Sequence, residues 1–134
     1  MSLVKDLIRH EGHRRHLYED TAGVMSIGVG YNIQERGLPD HVIAVLLEET
    51  IKEAESELLR VYPKSAQLTK NRQEVLINMM FNLGAPRFLM FRRMLEALTQ
   101  GDYALAAEEM LDSRWAEQVG QRAIELAGRM RNDT

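Results

Sequence analysis

Apolar residues recur at spacings of three and four from the start of the chain, where Leu3, Val4, Leu7 and Ile8 lead to Glu11. That period predicts an amphipathic helix that Ser2 can cap and Gly12 can end, with Glu11 at its C-terminus. From Leu17 to Gly30 the helical period fails, and glycines at 23, 28 and 30 punctuate Val24, Ser26, Ile27 and Val29. Short antiparallel strands are predicted there. Beyond Gly37 and Pro39 the period returns. Ile43, Leu46, Leu47, Ile51, Ala54, Leu58 and Val61 predict a long helix from about Asp40 to Val61, ended by Pro63. Its outer residues, Glu48, Glu49, Lys52, Glu53, Glu55 and Glu57, read as a solvated face.

A second helical run starts near Thr69 and carries Val75, Leu76, Met79, Met80 and Leu83 before Gly84. Its apolar stripe is wide enough for a buried central helix. Shorter helices are expected at about 91 to 99, 103 to 112 and 120 to 130, separated by Gly101, Ser113 and Gly120. Met79, Met80, Met90 and Met94 read as flexible side chains that fill gaps in a core. The layout is α+β and mainly helical: a small hairpin-bearing lobe near the N-terminus, then a helical lobe.

Composition narrows this picture. A chain of 134 residues, 45% hydrophobic and 28% charged, has the size and balance of one folded domain. It contains no cysteine, which excludes disulfides and thiolate metal sites and fits synthesis in a reducing compartment. Lys5, Asp6, Arg9 and Glu11 interrupt the first dozen residues, so a signal peptide is not expected, and no apolar run reaches the roughly 18 residues of a membrane span. A net charge of -3 offers no general attraction to nucleic acid. Arg87, Arg92, Arg93, Arg114, Arg122, Arg129 and Arg131 nevertheless make the C-terminal half comparatively basic. That basicity reads as a solvated face or as attraction to an anionic surface.

The string EGHRRHLYEDTAGVMSIGVGY holds two carboxylates and a hydroxyl, Glu11, Asp20 and Ser26, within sixteen residues. Glu11 stands at the negative end of its helix, where the macrodipole disfavours ionisation, and partial burial would raise its proton affinity further, as suits a general acid. Asp20 precedes Thr21 and Gly23 in a turn, a polar setting in which a carboxylate stays charged. Carboxyl groups whose surroundings push their protonation apart are what glycoside hydrolysis requires. If residues 24 to 29 form a strand, Ser26 can aim its hydroxyl at a water held by Asp20, which favours inversion. Helix-end glutamates and turn aspartates are common in purely structural roles, so spacing alone does not decide. His10, His13 and His16 have helical spacing, but Gly12 breaks the helix between them, so metal binding is not expected. Gly28-Val29-Gly30 lacks the third glycine and following helix of a dinucleotide site and reads as tight turning or close backbone approach to sugar.

The pattern Glu11, eight residues, Asp20, five residues, hydroxyl resembles the catalytic signature of phage lysozymes, glycoside hydrolase family 24, particularly the T-even phage type. YxDTxG from Tyr18 to Gly23 and SIGVG from Ser26 to Gly30 agree with it. Downstream, INMMFNLG from Ile77 to Gly84 resembles the family's central helix, and SRWAEQVGQRA from Ser113 to Ala123 resembles its SRW motif followed by an arginine. The resemblance implies one lysozyme domain over residues 1 to 134. Its small lobe spans about 12 to 60, its helical lobe about 1 to 11 plus 65 to 134, and the active-site cleft lies between them. It implies Glu11 as general acid, Asp20 as second carboxylate, Ser26 in place of the catalytic threonine, and Arg122 as an arginine that pairs with the acid. Asn82 and Trp115 match positions lining the cleft floor, though Trp115 as simple core is an equal reading. Tyr31 stands where the T-even type has histidine, and the stretch from 32 to 68 is compact by comparison.

The implied activity is hydrolysis of the β-1,4 bond between N-acetylmuramic acid and N-acetylglucosamine. It needs no cofactor and no metal. The implied partner is a peptidoglycan glycan strand, met by a monomer that binds no nucleic acid and does not insert stably into membranes. Synthesis in the bacterial cytoplasm would require a holin for access to the wall. Two rivals stand beside this reading: a lytic transglycosylase acting on the same bond, and an inactive lysozyme-like module that binds peptidoglycan.

Overall fold

The computed structural model describes residues 2–134, and the density of contacts divides the chain into two units, one up to Leu46 and one from Leu47. In the first unit, helix α1 runs Leu3–Glu11. The Ser2 hydroxyl accepts the Lys5 N–H at 3.3 Å, and Gly12, at φ +85°, ends the helix by donating its N–H to Ile8. Strands β1 (Arg14–Glu19) and β2 (Met25–Gly28) form an antiparallel hairpin in which Tyr18 faces Ser26 and Glu19 faces Met25. The first strand begins three residues before the Leu17 expected from sequence. It carries an irregularity between Arg14 and Tyr18, which blurs the two-residue alternation by which strands are recognised. A one-turn helix, α2 (Ile33–Arg36), follows.

This unit is too small to enclose an interior. Among its described residues only Ser26 is buried, and the apolar residues of α1 are exposed.

Helix α3 spans Asp40–Val61, as its period predicts. Its apolar stripe is only partly buried: Ala54 and Leu58 enter a core, while Ile43, Leu46, Leu47 and Ile51 stay exposed. The boundary between the units falls inside this helix, and the residues on either side of it lie outside the buried core. A 3-10 turn at Pro63–Gln67 then leads to α4 (Lys70–Leu83), which Thr69 caps through its hydroxyl.

The second unit is built round α4, whose Val75, Leu76 and Met79 are fully buried. Helices α5 (Ala85–Phe88), α6 (Arg92–Thr99), α7 (Tyr103–Leu111), α8 (Arg114–Val119) and α9 (Gln121–Asn132) complete it. Ala106 and Ala107 of α7 and Ala123 and Ala127 of α9 are all buried, and their small side chains let these two contacting helices approach closely. Met79, Met80 and Met94 fill the core as expected, but Met90 does not. It lies in the short link between α5 and α6, is 77% exposed, and corrects the reading of that residue as core.

The C-terminus is clamped onto the start of α4. Arg72 donates to the carbonyls of Met130 (2.7 Å) and Arg131 (3.1 Å), and stacks over the Tyr103 ring at 3.6 Å. The Asp133 carboxylate accepts the Thr69 hydroxyl, while the Asn71 amide donates to the Asp133 carbonyl. No helix among the described residues is long and apolar enough to cross a membrane.

Candidate active site

The sequence D-T-A-G builds a tight turn between the two strands, and the turn fixes Asp20. Its Oδ1 accepts the backbone N–H groups of Ala22 (2.8 Å) and Val24 (2.9 Å), while the main chains of Asp20 and Val24 pair at 2.9 Å and Gly23 donates to the Asp20 carbonyl. An aspartate that hydrogen-bonds its own turn is held in one rotamer. Among the described residues the other carboxylate oxygen, Oδ2, has no hydrogen-bond partner, so half of this half-buried group is anchored and half is open to a ligand.

Ser26 lies two residues beyond Val24, in β2, and is 3% exposed. Its hydroxyl donates to the Val24 carbonyl across 3.5 Å, a long bond that holds it weakly. Val24 is therefore the shared anchor: its N–H is bound by the Asp20 side chain and its carbonyl faces the Ser26 hydroxyl. The Met25 N–H beside it is capped by the Gln34 side chain at 2.8 Å.

Glu11 is the last residue of α1 and is exposed, which corrects the expectation of partial burial. Its side chain lies against Gly30, just beyond the end of β2, and comes so close that a Cβ there would sit 2.5 Å from Oε2. Gly30 has φ +66°, a left-handed conformation open to glycine at little cost. The absence of a side chain at that turn is what gives the Glu11 carboxyl its place beside the hairpin.

Tyr31 is used structurally. Its backbone bridges Ile27 in both directions, its hydroxyl donates to the Gly37 carbonyl, and the Arg36 guanidinium stacks over its ring at 4.7 Å. It pins the loop that follows the hairpin.

In the second unit, the Trp115 indole N–H donates to Asn82 Oδ1 at 2.7 Å. Trp115 is 3% exposed and meets Phe91 edge-on, with ring centroids 6.0 Å apart. Arg122 is gripped by Asn78, with Nε and Nη2 donating to Oδ1 at 3.0 and 2.7 Å. Asn78 was not singled out from the sequence, yet it stands one helical turn before Asn82, and that spacing of four places both amides on one face of α4. Gly30 was read from sequence as a tight turn or a close backbone approach, and the group that approaches it is the Glu11 carboxyl. Val24 was missed because it acts through its backbone and leaves no signature in the side-chain pattern.

The phage lysozyme family model matches residues 8–133. The chain belongs to the phage lysozyme family. Its fold is accordingly the lysozyme-type α+β arrangement of a hairpin unit and a helical unit. Two curated lysozyme relatives from Dictyostelium discoideum, probable T4-type lysozyme 2 and probable T4-type lysozyme 1, are each 28% identical to the chain. The alignments span 153 and 155 positions, covering 92% of this chain and 90% of either relative. Those spans exceed the 134 residues present here, so both relatives carry residues that this shorter lysozyme-family chain lacks. The pre-baseplate central spike protein Gp5 of Enterobacteria phage T4 is also 28% identical, over 92% of this chain but only 26% of the spike protein's length.

Proposed function

We propose that the chain is a peptidoglycan hydrolase that cleaves the β-1,4 bond between N-acetylmuramic acid and N-acetylglucosamine, with inversion at the anomeric carbon. The observation that carries this reading is the hairpin arrangement of the first unit. A half-anchored carboxylate, Asp20, and a weakly held hydroxyl, Ser26, share one peptide segment, and a second carboxyl, Glu11, packs on the glycine at the end of the same hairpin.

In this mechanism the Glu11 carboxyl gives its proton to the glycosidic oxygen as the C–O bond breaks. Asp20 Oδ2 takes a proton from the water that attacks the anomeric carbon from the opposite face. The new C–O bond retains the water oxygen, and proton exchange with solvent resets both carboxyl groups. Anchoring Oδ1 in the turn restricts Asp20 to one orientation, so little motion has to be frozen in the transition state. The Ser26 hydroxyl can exchange its long bond to Val24 for one to the attacking water. Within the helical unit, Arg122 is the arginine that the resemblance matches to an acid-pairing position, and Asn78 holds its guanidinium. Wall lysis after release from the cytoplasm completes the reading.

Digestion of purified peptidoglycan followed by mass spectrometry tests it. Hydrolysis gives fragments with a reducing sugar, whereas a transglycosylase gives anhydro fragments lighter by one water. Sedimentation with the wall and no fragment release would instead identify a binding module. Glu11→Gln should abolish release while leaving the unfolding transition in place, and undiminished activity in that variant would remove Glu11 from the mechanism.

A further inference from the structure

The seven arginines from Arg87 to Arg131 do not form one solvated face. Arg122 is engaged by Asn78 and Arg129 by Glu74, but Arg87, Arg92, Arg93 and Arg114, from α5, α6 and α8, line a single cavity of about 670 Å³. Among the described residues none of these four forms an ion pair, and the Arg87 guanidinium donates only to the neutral Gln118 amide at 3.3 Å. Leu83, Phe91, Met94 and Trp115 give the cavity an apolar lining, and the exposed Met90 stands at its edge. Glu109 and Asp112 also line it, yet neither is paired with an arginine, so four cations outnumber two anions inside a chain of net charge -3.

Four like charges gathered round one volume repel one another, and the repulsion is relieved when an anion enters. A carboxylate offers two coplanar oxygens, enough for one guanidinium fork. A phosphate offers oxygens in several directions and can accept from more than one fork at once. We propose that this cavity is a binding site for phosphate groups, carried by a soluble anionic polymer or by a lipid headgroup, and held by Arg87, Arg92, Arg93 and Arg114 over an apolar floor. Such a site would retain the protein at a phosphate-rich cell envelope, and it is independent of the chemistry assigned to Glu11 and Asp20.

Trp115 is the only tryptophan in the chain and lines the cavity, so its fluorescence reports occupancy directly. Titration of the full chain with inorganic tripolyphosphate should give a saturable change that weakens as salt is raised. Removing two charge-assisted donors in the double variant Arg87→Gln, Arg92→Gln should weaken binding by about tenfold or more. The variant Arg131→Gln, which removes a charge outside the cavity, should bind like the parent. Co-sedimentation with phosphatidylglycerol vesicles but not phosphatidylcholine vesicles would identify the headgroup as the source. Binding of tripolyphosphate without vesicle binding would identify a soluble polymer. An absent or unsaturable fluorescence change, equal affinity for citrate, or an equal loss in Arg131→Gln would each overturn the proposal.

Discussion

The carboxyl group of Glu11 rests on Gly30: a Cβ at position 30 would lie 2.5 Å from Glu11 Oε2 and 3.0 Å from its carboxyl carbon. Gly28 has the same φ of +66° but nothing within 4 Å of its missing Cβ, which makes it a natural control. Both Gly30→Ala and Gly28→Ala should cost about 1 kcal/mol for holding alanine in the left-handed region. Only Gly30→Ala should also displace Glu11, and turnover on peptidoglycan should fall by roughly a hundredfold for a misplaced catalytic group. Thermal unfolding with parallel rate measurements separates the two effects. Equal rates in the two variants would show that the contact does not position the acid.

Asp20 supports the turn with one oxygen and leaves the other open, so its two contributions can be separated by choice of substitution. In Asp20→Asn the amide oxygen can still accept from Ala22 and Val24. That variant should unfold near the parent temperature while losing activity by about 10²-fold or more, as expected when a general base is removed. Asp20→Ala should lose the same activity and, in addition, about 1–3 kcal/mol from two unmade hydrogen bonds. If the Asp20→Asn variant proved as unstable as the Asp20→Ala variant, the turn would depend on the charge rather than on the acceptor.

Ser26 is buried on a strand and its hydroxyl is held only by the long bond to Val24. Threonine keeps the hydroxyl, favours extended backbone and restricts the rotamer. Ser26→Thr should therefore retain activity, and Ser26→Ala should lower kcat without a matching loss of stability. A dead threonine variant would mean that the added methyl group occupies space the water needs.

Arg72 makes a sharper stability prediction than the other surface ion pairs. It joins two carbonyls at the end of α9, the ring of Tyr103 and, at 3.6 Å, the Asp133 carboxylate, with its side chain only 11% exposed. Arg72→Ala should cost on the order of 2 kcal/mol through lost charge-assisted hydrogen bonds and packing. The more exposed pair between Arg129 and Glu74 should contribute less than about 1 kcal/mol. Denaturant titration of the two alanine variants, Arg72→Ala and Arg129→Ala, compares them directly.

The long elements were legible in the order of residues because periodicity and end signals agreed. Helix α1 has its serine cap and terminal glycine, α4 its threonine cap and wide apolar stripe, and α3 its bounds at Asp40 and Val61. The pieces of four to six residues, α2, α5, α8 and the 3-10 turn, went unseen, since one turn of helix is too short to establish a period. Met90 shows the limit of residue type as a guide. In the three-residue link between α5 and α6, Phe91 packs against the core while Met90, one residue before it, is 77% exposed, so residue type alone does not say which side chain of a link turns inward.

At the site, the sequence by itself determined which groups are present and the local turn that holds one of them. The aspartate, threonine and glycine of a tight turn act over a few bonds, so the anchoring of Asp20 follows from neighbours in the chain. The tertiary structure decided what those groups touch. The carboxyl of Glu11 lies on a glycine nineteen residues away, Arg122 is held by Asn78 across forty-four residues, and four scattered arginines line one cavity. Contacts of that kind depend on how helices and strands pack, a property of the folded backbone that no local pattern of side chains records.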